Sequence, residues 1–520
     1  MAGYYLYFSK YGLNIWDEGG FANGTLRTMR GELAGRDFNP IGYMPGRYEL
    51  GALLFDFFGV HLQSLRIGVA LLTPAMILGL YATALRVMPA GFAFLAAACL
   101  FTVPSMYYNR FFTLFSVLNM FCLVRFFESR KASDGILLAC SFLASAYFKF
   151  EVALFSVTIA CFVFIVSYAE NLKKGSEEYK VPETAFIGKR PGFWAAALCI
   201  AVLLAVLFKH VYEINLYEKG VKQVLDSYAV WGNPFPNIFP LPTTGNEIDW
   251  HRLFTRTLFY IPMALYALSV FLLAIRFYKG WRNCNRAEYH LLIILLFGLC
   301  SFGLVLWRSG LDNLMRTLAP SYLLFCYFSY LLWEKAVQSK IIHRVLVNLL
   351  AAALPFLFIF EMNTQHGFYA GSIGAMTQET ERVTAENIDV FTNKNEAEWI
   401  PEVVDRIGKY SEPGDAIFAL PLNPIFYFLS NRINPTSYDW ILPGMLDEKE
   451  QRAVIEQLQS NMPKVIVYVD IAIDGKEERR FVNYAPKIYQ YLAENYSFAE
   501  QVGIFQILLP SKSFLTLPEQ

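Results

Sequence analysis

Apolar residues fill the middle of the chain in long runs broken by short polar connections, while both ends carry mixed patterns. The runs are 65–88, 91–107, 111–127, 135–148, 152–168, 193–212, 258–277, 291–307, 317–333 and 342–362. Most are apolar all round rather than on one face, and Gly, Pro and Tyr interrupt them without ending them, as lipid permits. A hydrocarbon core of about 30 Å needs about 17–25 helical residues. The run at 135–148 is short for that and is expected to enter a membrane-embedded bend at residues 149–151. Near the amino terminus, the run 4–8 is too short to span. It reads either as the outer stub of a further first helix or as an interfacial segment.

Beyond residue 365 the period changes. Residues 376–394 read as a polar, acidic connection, and a helical period begins at Glu398 (Trp399, Val403, Val404, Ile407). Strands are expected at 416–420, 464–470 and 502–509, helices at 448–460 and 486–495, and a short apolar turn or helix at 424–429. The predicted fold is mainly α, a polytopic transmembrane helix bundle of about 10–11 helices with a C-terminal extracytoplasmic α/β domain. Residues 1–64 would form the N-terminal stub and first outer loop, 65–362 the bundle, and 363–520 the domain.

Composition agrees. The 520 residues are 55% hydrophobic and 17% charged, against about 45–50% and about 25% in soluble chains. The 46 Phe, 31 Tyr and 9 Trp exclude a disordered chain. Equal numbers of basic and acidic residues, 44 each, argue against a nucleic-acid binder. Lys and Arg are about twice as dense in one set of connections (86, 125–134, 169–192, 276–290, 334–344) as in the other, which places that set inside. The first loop and the tail then share the outer face of the cytoplasmic membrane. None of the eight Cys falls in an outer segment, so no disulfide framework is expected.

Candidate chemistry concentrates in the first outer loop, Asn14-Ile-Trp-Asp17-Glu18-Gly-Gly-Phe21, then Gly35-Arg36-Asp37-Phe38 and Met44-Pro45-Gly46-Arg47-Tyr48. Interfacial carboxylates are costly and so point to function. Asp17 also stands where a helix N-cap would stand, with Glu18 favourable to the dipole. Both readings are open on local evidence. Arg308 and Arg316 bound a short outer loop, suited to phosphate or to anchoring helix ends. Lys149 and Glu151 are charges inside an apolar stretch, either an internal ion pair or part of a cavity.

The order Asp-Glu-Gly, helix, Arg-Asp-Phe, then Pro-Gly-Arg-Tyr before Leu-Leu-Phe resembles the first outer loop of GT-C class membrane glycosyltransferases. That class includes protein O-mannosyltransferases and lipid A aminoarabinose transferases. The tail is similar too, at Pro413-Gly-Asp-Ala-Ile-Phe, Asn423-Pro-Ile-Phe-Tyr-Phe-Leu and Thr436-Ser-Tyr-Asp. The resemblance implies an inverting sugar transfer from a polyprenyl-phosphate donor to an extracytoplasmic glycan, lipid or protein acceptor. It implies Asp17 as the catalytic base, with Glu18 holding the acceptor or acting on Asp17 by like charge. Arg308 and Arg316 would meet the donor phosphate, and Arg47, Tyr48, Arg110, Lys149 and Glu151 are further candidates for that site. Many members carry an acid near the second outer loop, where this chain has Asn109 and Thr113. No cofactor is certain, and a divalent metal stays open. A transporter or flippase of lipid-linked sugars is the rival reading, although no internal repeat supports it.

Overall fold

The computed structural model describes residues 2–102, 110–173, 230, 232, 234–244, 247–280, 286–337, 345–346, 349, 353, 356 and 373–511. Helices α1 (Ala2–Phe8), α2 (Asp17–Met29), α3 (Pro45–Phe58), α4 (Leu62–Ala84), α5 (Ala90–Ala98), α6 (Arg110–Ser129), α7 (Ala132–Phe148) and α8 (Phe150–Lys173) come first. Tyr260–Gly280, Arg286–Trp307 and Ala319–Val337 continue the bundle. Among the described residues, five stretches are long and apolar enough to cross a membrane: Leu62–Ala84, Arg110–Ser129, Phe150–Ser167, Arg252–Tyr278 and Arg286–Trp307. Shorter apolar helices, Ala90–Phe101 and Ala132–Phe148, accompany them. The result is a mainly helical, multi-pass membrane protein. The run at 193–212 lies outside the described residues, and that at 342–362 is described at five positions only.

The bend expected at 149–151 is sharp. Helix α7 stops at Phe148, Lys149 leaves helical geometry (φ −152°, ψ 86°), and α8 restarts at Phe150. Buried Asn119 on α6 braces the two sides. Its Nδ2 donates to Ser145 Oγ and Ser156 Oγ, both at 3.0 Å, and its Oδ1 accepts from Ser141 Oγ at 2.6 Å. Paired polar groups of this kind join helices where lipid gives no hydrophobic drive. Helix α1 docks on the bundle through Tyr5, which is buried and donates to Leu100 O at 3.1 Å.

In the tail, a four-stranded sheet runs in the order Ile417–Leu420, Val465–Val469, Phe505–Pro510, Tyr496–Val502. The first pair is parallel and the others antiparallel. Residues alternate across it. Ile417, Ala419, Val465 and Val467 face helix Lys394–Tyr410, whereas Phe418, Leu420 and Ile466 face helices Glu448–Ser460 and Pro486–Asn495. The strand Tyr496–Val502 escapes the sequence reading because its outward face is largely polar. The connection at 376–394 also differs from expectation. It holds a hairpin, Glu381–Ala385 with Ile388–Thr392, whose second strand alternates buried and half-buried positions.

Residues of the first 64 positions and of the tail share one apolar core. Ile15, Phe21, Leu26, Phe38 and Phe55 pack in the same cluster as Val403, Ile417, Phe428 and Val467. Helix α2 is pressed between α3 and helix Ile425–Ser430, and Gly19 permits it. A Cβ there would lie 2.5 Å from the backbone nitrogen of Ile425.

Candidate active site

Helix α2 begins at Asp17 with its cap supplied from outside. Asn14 Oδ1 accepts from the backbone N–H of Trp16 at 3.1 Å and of Asp17 at 2.9 Å. Asp17 is therefore the first helical residue and not the cap. Its carboxylate, half-buried, accepts from Asn14 Nδ2 at 3.1 Å.

Glu18 turns the other way. Its two oxygens accept from Arg66 Nε at 2.8 Å and Nη2 at 2.6 Å, a bidentate pair with both side chains buried. Arg66 also donates to Ser9 O and Gly12 O, at 2.6 and 2.8 Å. The expectation that Glu18 holds an acceptor, or bears on Asp17 as an unbalanced like charge, meets a carboxylate already neutralised and bound at both oxygens. Arg66 was missed. Its signal was an isolated charge at the edge of the apolar run 65–88.

Three other cations converge. Proline at the first position starts α3, and Gly46 lets its N-terminus touch α7, since a Cβ there would lie 2.5 Å from Tyr147. This contact brings Arg47 to Lys149, the residue at the α7–α8 break. Arg47 is wholly buried, with its guanidinium 4.5 Å from the Phe21 ring centre and 4.0 Å from that of Tyr43. Lys149 lies 4.3 Å from the same Tyr43 ring and pairs with half-exposed Glu151 at 2.8 Å. Buried Arg316 is near enough, with Arg47, to repel the Lys149 ammonium, and sits 5.4 Å from the Phe112 ring centre. Its backbone carbonyl accepts from Thr113 at 3.0 Å. Phe21 stands one turn beyond Asp17 on α2, so Arg47 packs against the helix that Asp17 begins.

The remaining candidates lie around this centre. Tyr48 packs edge-on to Phe38 at 5.3 Å, and burial pushes its hydroxyl up to about 12, leaving it neutral. Arg110 is buried in the bundle, donating to Thr73 Oγ1 at 2.5 Å with its guanidinium 4.4 Å from the Tyr5 ring centre. Arg308 stays partly exposed at the start of the loop that ends in Arg316. Among the described residues, no three His, Cys, Asp or Glu side chains converge as metal ligands.

A second anchor holds α2 to the tail. Asp439 is buried and Oδ1 accepts from Asn23 at 2.9 Å, Arg27 at 3.1 Å and Asn434 at 2.9 Å. Nothing in local periodicity announces it, because two of its three partners, Asn23 and Arg27, lie over 400 residues away in sequence.

This architecture is the GT-C fold. A family model described as dolichyl-phosphate-mannose-protein mannosyltransferase matches residues 48–181. The structure is similar to ArnT from Cupriavidus metallidurans in the apo state, at 12% identity and a TM-score of 0.52, covering 99% of this chain and 97% of that one. The same protein bound to undecaprenyl phosphate matches with a TM-score of 0.51, 12% identity and coverage of 99% and 97%. The apo oligosaccharyltransferase of Archaeoglobus fulgidus matches at 14% identity and a TM-score of 0.51, covering 97% of this chain and 71% of that one. No protein of curated function matches in sequence.

Proposed function

We propose that the protein is a membrane glycosyltransferase that moves one sugar from a polyprenyl phosphate to an acceptor hydroxyl on the outer face of the cytoplasmic membrane. The observation that carries this reading is the meeting of Arg47, Lys149 and Arg316 beside the helix that begins with Asp17. Similar solved structures include one bound to undecaprenyl phosphate, which supports a lipid phosphate as the ligand of those cations.

The chemistry then follows. The acceptor oxygen bonds to the anomeric carbon from the side opposite the phosphate, inverting it, while Asp17 takes the hydroxyl proton. The bond from that carbon to the phosphate oxygen breaks with its electron pair left on the phosphate. The departing polyprenyl phosphate gains negative charge, and Arg47, Lys149 and Arg316 are already in place to receive it. Arg is suited to phosphate by its planar fork, and Lys149 adds a point charge kept in register by Glu151. Glu18 and Arg66 act as positioning residues that aim the first turn of α2. Tyr48, Arg110 and Arg308 line the approach of the donor.

The test begins with mass spectrometry of lipid co-purified with the protein, which names the donor. Asp17→Asn should keep that lipid bound, fold and insert normally, and lose release of free polyprenyl phosphate on adding acceptor. Wild-type turnover in Asp17→Asn refutes the mechanism. Movement of intact donor across vesicles without cleavage points instead to a flippase.

A further inference from the structure

Tyr43 stands against two cations at once. The Arg47 guanidinium and the Lys149 ammonium lie 4.0 and 4.3 Å from the centre of its ring. Both are buried, where like charges repel strongly. An aromatic ring attracts each of them through its quadrupole, so one ring offsets part of the cost of keeping the two together.

The turn that delivers Tyr43 is strained. Tyr43 N donates to Pro40 O at 3.1 Å, and the residues between them, Ile41 and Gly42, have φ of +48° and +71°. Two positive central φ values make a type I′ turn, which favours Asn, Asp and Gly. A β-branched residue is among the least suited to it. Such conformations persist only where their surroundings over-determine them, and they gather at ligand clamps. Here the surroundings belong to the tail. Asn39 N donates to Ser437 O at 2.7 Å, Asn39 Oδ1 accepts from Ile41 N at 2.8 Å, and Ile41 packs against the tail's core.

We propose that Tyr43 is a positioning residue of the donor site, whose ring gathers Arg47 and Lys149 so that both face the phosphate of an incoming polyprenyl phosphate. The inference rests on the donor reading above. Its physical content is preorganisation. Two long cationic side chains are collected during folding, so the lipid does not have to order them on arrival.

The experiment uses the full-length protein in phosphatidylcholine nanodiscs, titrated with undecaprenyl phosphate and followed by native mass spectrometry. Tyr43→Phe should bind within twofold of wild type. Tyr43→Leu should bind about tenfold more weakly. With the co-purified donor, Tyr43→Leu should raise the donor KM about tenfold and leave kcat within twofold. Tyr43→Met serves as the second non-aromatic variant if the Leu variant does not fold. Wild-type affinity in Tyr43→Leu or Tyr43→Met, alongside weakened binding in Lys149→Gln, overturns the role of Tyr43 and leaves the donor reading standing. Equal weakening in Tyr43→Phe and Tyr43→Leu also overturns it, since the hydroxyl would then be the active group. A fall in kcat with an unchanged donor KM overturns it as well. No binding by wild type, or undiminished binding in both Lys149→Gln and Arg316→Gln, overturns the donor reading and this proposal with it.

Discussion

The Glu18 carboxylate and the Arg66 guanidinium meet through two parallel bonds, 2.8 and 2.6 Å, with both side chains buried. One partner lies in the first turn of α2 beside Asp17 and the other just past the first turn of α4, a helix long and apolar enough to cross a membrane. The pair thus ties the start of α2 to the bundle.

Removing one member leaves the other charged and buried. Arg66→Met is expected to cost about 3–5 kcal/mol of stability. Replacing both with apolar residues of similar volume should recover much of that loss, because the uncompensated charge is gone. Thermal unfolding of the single and double variants checks this. A single variant as stable as wild type contradicts it.

Asp439 makes the complementary tie. Three donors, from Asn23, Arg27 and Asn434, share its Oδ1, and the site is closed to solvent. Asp439→Leu is expected to cost about 3 kcal/mol, since buried Asn23 and Asn434 lose their shared acceptor and Arg27 keeps only Glu32 as a carboxylate partner. It should also lower turnover, since α2 carries Asp17. Asp439→Asn keeps an acceptor oxygen and should lose less. Turnover per folded molecule is the measurement, and an unchanged rate in Asp439→Leu rules out this coupling.

A third expectation concerns pH. Burial, and then the neighbouring charge of Glu396, raise Glu379 from 4.5 to about 7. A raised carboxyl binds its proton more tightly in the folded state than in the unfolded one. Its contribution is therefore present below about pH 4.5 and is lost as pH rises through 7. Glu379→Gln should gain stability relative to wild type over that interval and level off above it. Unfolding midpoints of both proteins from pH 5 to 8 decide the matter, and parallel curves contradict it.

The parts legible in the sequence were those set by local pattern. Apolar length marked the helices α4, α6 and Arg286–Trp307, and the helices at 448–460 and 486–495 formed within the expected bounds. The break at Lys149 was legible because a charge interrupts an apolar run. The strand Tyr496–Val502 was not, since its outward side chains obscure the period. Side-chain partnerships across the fold were the least accessible. Arg66 stood out in principle as a charge within an apolar run, yet its partner Glu18 lies 48 residues away. Tyr43 gave no local sign, and Asp439 showed only as the end of Thr436-Ser-Tyr-Asp, as the partners of both come from what the fold brings to them.

The core common to the first loop and the tail also bears on how the protein comes to be. The strand Phe505–Pro510 sits inside the sheet, hydrogen-bonded to Val465–Val469 on one side and Tyr496–Val502 on the other. That sheet supports the helix against which α2 packs. During synthesis position 17 emerges hundreds of residues before its support exists. The packing that fixes the start of α2 is therefore complete only once residues 505–510 have joined the core that the first 64 residues share, so a strand made near the end of the chain closes the packing of a helix laid down near its start.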